Sequence, residues 1–471
     1  MRFFLLSLVF AGALAAADWP AFRGPNGSGV TADDKAPAGV SLEHGLLWKI
    51  PLPDGISSPI VVRHRVFFTG WEGNSRIVLA VDAVTGKEAW KRTFRQAREE
   101  YAQKPNSHAT PTMGSDGDNV YAYFHDVGLI SFTFDGKERW QVPLEPINSL
   151  YGLASSLTVA EGFVFLWVDG QEQSVLRAYE TGSGKVRWSA MQQPQALAGF
   201  STPIVYRPAN GPAQLVVLGS GEAVGYQIAT GERLWWTNAL TAFAASSPVI
   251  AGDRLYVASA KEPPQPWDRV AKFDLKKDGH ITIDQVPDDN PINRTWRRVF
   301  TSINKRYGVG DGILTREQWD KNEAAIAASG GLTAMSLAGK NDRTEAVLWR
   351  YTKSIPYYSS PLIYRGVLYT VKDGGILSSF DPANGAVHKV GRLPDAIAEY
   401  YASPVAGDGR LFLVNTDGKL TMARAGAQWE VLAVTDLGEK VMATPALSAG
   451  RLFVRGDKHL FCFGEKGERG R

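Results

Sequence analysis

Between residues 261 and 332, oxygen-bearing side chains fall at the spacing of twelve-residue calcium loops. In the first loop Asp274, Asp278, Gly279, Ile281 and Thr282 take positions one, five, six, eight and nine, but Lys276 stands at three and Gln285 at twelve. In the second Asp311, Gly312, Leu314 and Thr315 fit, while Tyr307 and Val309 replace acids and Gln318 stands at twelve. Calcium affinity follows the number of charged oxygens and a bidentate Glu at position twelve. The expectation is a degenerate EF-hand pair in which Asp274, Asp278, Thr282, Asp311 and Thr315 remain from a metal set that has lost most of its affinity. A second group is mostly aromatic: His108, Phe200, Tyr357, Tyr358, Tyr400, Tyr401 and Met442 cluster just before a short phrase that recurs along the chain. Apolar walls with a few polar groups make a binding site, or they simply plug a channel. There is no His-Glu-x-x-His pair, Gly-x-Ser-x-Gly elbow or phosphate-binding loop, so nothing points to zinc hydrolysis, acyl transfer or nucleotide chemistry.

The recurring phrase is two small residues, then usually Pro, opening an apolar strand. It reads Ser57-Ser58-Pro59, Ala109-Thr110-Pro111, Ser155-Ser156-Leu157, Ser201-Thr202-Pro203 and Ser246-Ser247-Pro248, then Ser359-Ser360-Pro361, Ala402-Ser403-Pro404 and Ala443-Thr444-Pro445. A repeat of about 40–50 residues with several short strands per unit is a propeller blade. The one long step, from Pro248 to Pro361, accommodates an insertion at 261–332 in blade five. The residues preceding each phrase (Ile56, His108, Ala154, Phe200, Ala245, Tyr358, Tyr401 and Met442) should therefore ring the channel mouth. The second half of each repeat alternates in period two, turns at Thr-Gly and returns through Trp, as at Gly86–Trp90, Gly136–Trp140, Gly184–Trp188 and Gly231–Trp235. These Trp residues are expected to pack between blades, with Trp349 and Trp429 in the corresponding places later on. The last blade lacks an outer strand, which Leu46-Leu47-Trp48-Lys49-Ile50 should supply to close the ring.

The chain has 471 residues, 44% of them hydrophobic, with 14 Trp, 21 Phe and a formal net charge of +3. So balanced a charge gives no argument for nucleic acid as a partner. Arg2, the apolar run 3–14 and Ala15-Ala16-Ala17 read as a signal peptide over 1–17, followed by an extended segment over 18–45 and the propeller over 46–471. The mature protein is then expected to be periplasmic or secreted. The single cysteine, Cys462, lies in an apolar strand and reads as a buried hydrophobe, so no disulfide and no lipid anchor are expected.

The strand–Asp-x-x-Thr-Gly-x-x-x-Trp signature of these repeats resembles the PQQ-like (pyrroloquinoline-quinone-type) eight-bladed propeller family. Asp18-Trp19-Pro20-Ala21-Phe22-Arg23-Gly24-Pro25-Asn26-Gly27 and Tyr369-Thr370-Val371-Lys372-Asp373-Gly374-Gly375 are similar to segments of exported PQQ-like proteins of planctomycete type. The resemblance implies an all-β fold, an eight-bladed β-propeller with the helical insertion in blade five. It also implies one of two activities. One is PQQ-dependent dehydrogenation, with the quinone and calcium over the channel. The other is the non-enzymatic protein binding of the outer-membrane assembly factor. The adjacent cysteines that often stack the quinone are missing, as is a Cys-x-x-Cys-His haem motif. The expectation is therefore an exported, non-catalytic scaffold without a cofactor, binding an envelope protein partner or a small ligand. The alternative is a divergent PQQ-dependent alcohol or sugar dehydrogenase holding PQQ with calcium.

Overall fold

A computed structural model describes residues 18–99, 102–146, 152, 154–170, 174–192, 199–219, 222–238, 245–259 and 263–465. The expected signal peptide, 1–17, lies outside the described residues.

Eight antiparallel sheets form the blades. In seven of them the innermost strand is only three residues, as in Ile60–Val62, Ile204–Tyr206 and Leu362–Tyr364. The two middle strands are buried on both faces, as in Arg65–Glu72 and Ser75–Asp82, because each is covered by the neighbouring sheets and reads as a continuous apolar run. The outer strand Glu88–Arg95 is exposed apart from buried Trp90 and half-buried Phe94.

The Thr-Gly…Trp spacing within one repeat becomes a contact between two. Trp90 lies over Gly136 of the next blade and its Nε1 donates to Phe134 O at 3.0 Å. Trp140 over Gly184, Trp188 over Gly231 and Trp349 over Gly385 repeat the arrangement. Gly136 has φ +80, and a Cβ there would sit 2.5 Å from the Trp90 ring, so both turn and neighbour demand glycine. Trp235 breaks the pattern: it folds over Gly225 of its own blade and donates to Gln214 Oε1 at 2.7 Å. Asn341–Asp342 then adds a parallel fifth strand to blade four. Trp429 also departs from expectation. Blade six carries Lys389 where Trp is expected, and Trp429 fills that gap from blade seven, packing on Gly391 with the Lys389 ammonium 4.2 Å from its ring centroid.

The ring closes as the last repeat requires: Leu46–Pro51 pairs antiparallel with His459–Phe463. Trp48 then covers Gly86 of blade one and donates to Ala83 O at 3.3 Å. Buried Arg455 of blade eight clamps the seam, donating to Ser57 O, Ser57 Oγ and Thr69 O at 2.6–3.0 Å.

Blade five is interrupted between Ser259 and Gly331, which face each other as the ends of one hairpin. The inserted segment has its own core of Trp267, Val270, Ile281, Ile283, Val286, Phe300, Ile303, Leu314 and Trp319. It contains α1 (Pro291–Tyr307) and α2 (Arg316–Ser329), the α-helices among the described residues. Asn290 caps α1, accepting Asn293 N–H at 2.9 Å, and Thr315 with Gln318 forms a capping box on α2.

Candidate functional site

Reading the phrase blade by blade leads to a closed circle. The backbone N–H of Ser58 donates to Thr112 Oγ1, Thr112 to Ser156, Ser156 to Thr202 and Thr202 to Ser247. Ser247 continues to Ser360, Ser360 to Ser403, Ser403 to Thr444 and Thr444 back to Ser58. All eight bonds measure 2.9–3.1 Å, and all eight residues are buried. This belt holds the innermost strands together and supplies the acceptors that their buried N–H groups need.

All eight belt residues also line a cavity of about 400 Å³. Above the belt its wall is Ile56, Thr110, Ala154, Phe200, Ala245, Tyr358, Tyr401 and Met442, with Tyr357, Gln103, Lys104 and Asn106 joining them. Tyr358 and Tyr401 are stacked, ring centroids 4.2 Å apart and planes at 15°, with Tyr357 edge-on to Tyr358 at 4.6 Å. Burial, the Tyr358 hydroxyl and then the carboxylates of Glu399 and Asp373 push the Tyr401 phenol above its ordinary range, so it stays protonated. Among the described lining residues Lys104 is the only charged one.

The floor comes from a segment expected only to be extended. Asp18–Ala36 runs across the propeller axis: Trp19 exchanges both backbone bonds with Val61 of blade one. Ser115 of blade two donates to Pro20 O, Asn26 exchanges two bonds with Val205 of blade four, and Ala406 of blade seven donates to Gly29 O. Gly24 turns under the Trp19 ring at φ +68, where a Cβ would lie 2.6 Å from the indole. Phe22 lines the cavity. Next to it, fully buried Arg23 donates from Nη2 to Pro361 O, one residue below the belt at Ser360. Arg23 Nε and Nη1 have no partner among the described residues. Burial lowers its pKa to about 9, leaving it charged at neutral pH. Asp34 pins the far end of the segment. Burial opposes its ionisation, but bonds from Tyr364, Arg365 and the Asp408 N–H prevail and hold its carboxyl below the usual range.

Of the residues expected at the mouth, the structure brings Phe200, Tyr357, Tyr358, Tyr401 and Met442 to the cavity wall. His108 is elsewhere, edge-on to Trp71 at 5.3 Å. In blade two the structural phrase is Pro111-Thr112-Met113, two residues later than Ala109-Thr110-Pro111, so Thr110 takes the wall position. Tyr400 is also off the wall: it is buried among Leu377 and Leu393, and its hydroxyl donates to Ala396 O at 3.0 Å. Its N–H donates to Asp373 Oδ1.

In the insertion, His280–Thr282 pairs antiparallel with Ile313–Thr315, Ile281 opposite Leu314. Asp274 accepts the N–H groups of Asp278 and Gly279, and Asp278 Oδ1 accepts that of His280. Thr282 precedes a short 3-10 turn and makes no side-chain cap bond. Thr315 is occupied as a helix cap. In the second loop the buried Asn304 amide nitrogen reaches Asp311 Oδ1 at 3.1 Å, Ile313 O at 2.8 Å and Gln318 Oε1 at 3.4 Å. The Gly312 N–H donates to Asn304 Oδ1 at 3.0 Å, which fixes the orientation of the amide. Bonds from Ile313 N–H and Asn304 lower the Asp311 pKa.

Comparison with known proteins agrees with this architecture. BamB from Moraxella catarrhalis superposes with a TM-score of 0.55 at 12% identity, covering 90% of this chain and 99% of that one. The quinohemoprotein alcohol dehydrogenase from Comamonas testosteroni gives 0.59 at 13% identity, over 98% of this chain and 82% of that one. Sqt1 from Saccharomyces cerevisiae gives 0.54 at 12% identity, over 90% and 100%. At such identities the likeness is one of fold. A search of curated proteins found no match. A sequence model described as outer membrane protein assembly factor BamB, of PQQ-like repeat type, matches residues 43–166 and 171–341. That match spans well over half of the chain, which therefore belongs to this family.

Proposed function

We propose that this is an exported, non-catalytic propeller that holds a guest, a segment of an envelope protein or a small ligand, in the blind cavity at its channel mouth. The observation that carries the reading is the cavity itself: about 400 Å³, lined by Phe22, a stacked tyrosine pair and a hydroxyl belt. Family membership is in keeping with a protein partner, and the apolar start of the chain with export to the periplasm.

A divergent PQQ-dependent dehydrogenase is the second reading, favoured by the flat tyrosine faces. The donor set does not fit it. Calcium needs several oxygen ligands, usually carboxylates among them, and the described lining contains no Asp or Glu. Titration of the protein with PQQ and calcium, followed by tryptophan fluorescence, separates the readings: saturable, calcium-dependent quenching supports the dehydrogenase. The guest reading is tested by a photocrosslinking residue at position 357, with position 84 on an outer turn as control. Labelling confined to position 357 supports a guest in the mouth, and equal labelling contradicts it.

The insertion we read as an EF-hand-like pair that needs no metal. The Ile281–Leu314 pairing joins position eight of one loop to position eight of the other. The Asn304 amide nitrogen contacts the oxygens at positions five, seven and twelve of the second loop, which are those that would ligate calcium. The amide thus stands in for the ion, and the module keeps its packing as a fixed projection from blade five.

A further inference from the structure

We propose that the base of the cavity is built to receive a carboxylate, held by the hydroxyl belt above Arg23. This rests on reading the cavity as a guest site and names the chemistry of the guest. Each belt oxygen already accepts a backbone N–H. No acceptor for any of the eight hydroxyl hydrogens is found among the described residues, and the eight side chains converge on one cavity. What the belt offers inward is therefore a ring of O–H donors. An ionised carboxylate is acceptor-only, with about four lone-pair sites, and is the matching partner. An amide would bring its own donors into a ring of donors and leave them unpaired.

The charge points the same way. Arg23 lies one residue below the belt, fully buried, with two guanidinium nitrogens that have no partner among the described residues. It forms no ion pair among the described residues. A buried cation without a counter-ion is costly, and an anion on the belt would relieve that cost. Lys104 puts a positive group in the lining itself, and the described lining has no carboxylate to oppose it. The acids that act on Tyr401, Glu399 and Asp373, are not lining residues. The carboxylate could belong to a small organic acid or to an acidic side chain on an inserted protein segment.

Calorimetric titration of the full-length protein at neutral pH tests this with two matched pairs of probes. Succinate against succinamide represents a free acid. Acetyl-Gly-Glu-Gly-amide against acetyl-Gly-Gln-Gly-amide represents an acid on a peptide. We expect at least one acid to bind saturably, about tenfold or more tighter than its amide, and the better acid identifies the source. Arg23→Gln and, separately, Ser360→Ala with Ser403→Ala should each weaken that binding about tenfold, with circular dichroism confirming that the variants are folded. If neither acid binds, or acid and amide bind equally, the proposal is overturned. Position-specific crosslinking from 357 in that case would leave the guest reading intact and remove only its carboxylate.

Discussion

The channel base and the second loop of the insertion are both arranged around a small polar centre, but one is open and the other is filled from within. At the belt eight oxygens accept backbone N–H groups, and their own hydrogens are left facing a cavity. In the insertion the Asn304 amide occupies the centre and bonds to Asp311, Ile313, Gln318 and Gly312. The difference is between a spent and an unspent centre: polar groups already satisfied by the chain confer rigidity, whereas donors with no acceptor among the described residues are available to a ligand.

The largest effect that would break this contrast is expected at Asn304. Asn304→Asp places a buried carboxylate against Asp311 and two further oxygens, and should destabilise the insertion by about 3–5 kcal/mol. Millimolar calcium should restore part of that loss in the variant and leave the natural protein unchanged. The helical signal near 222 nm reads this out, since the α-helices among the described residues belong to the insertion. A calcium-dependent melting temperature in the natural protein would contradict the account.

Next comes the belt. Ser247→Ala leaves the buried Thr202 N–H without its acceptor and should cost about 1–3 kcal/mol, measured by urea denaturation. A loss within error would mean that the belt does not hold the strands together.

Gly136→Ala sharpens the contrast between rigid packing and open cavity. It forces φ +80 on a residue with a Cβ and pushes that Cβ into Trp90, for a loss of about 1–3 kcal/mol, without altering binding in the cavity.

The smallest effect concerns the floor. Asp34 has its folded pKa lowered by bonds from Tyr364, Arg365 and Asp408. Its stabilisation is therefore full above the ordinary carboxyl value of about 3.9 and is lost as pH falls through the lower folded value. Asp34→Asn should flatten the acid limb of the stability–pH curve slightly, and an unchanged limb would show that Asp34 does not anchor the segment.

Much of this architecture was legible because a propeller repeats itself. The small–small–Pro phrase marks the innermost strands to within two residues, and the Gly-to-Trp spacing marks the outer hairpins of blades one to four. The incomplete last blade announces its N-terminal strand. What failed did so for local reasons. Ala109-Thr110-Pro111 imitates the phrase two residues ahead of the belt position, Thr112, so Thr110 rather than His108 is in the described lining. Tyr400 neighbours a lining tyrosine but turns into the blade core. The belt has its own signal in the sequence: the second small residue is Ser or Thr every time. The floor had none that spacing could reveal, because Asp18–Ala36 gains its meaning only from contacts with blades far away in the chain.

The measurement that bears most directly on the contrast is a high-resolution crystal structure of the protein grown in calcium, with an anomalous difference map. The account predicts no peak in the second loop, Asn304 in place, and ordered acceptors bridging the belt hydroxyls inside the cavity. A calcium peak about 2.3–2.6 Å from Asp311 and Ile313 O, with Asn304 displaced, would contradict it.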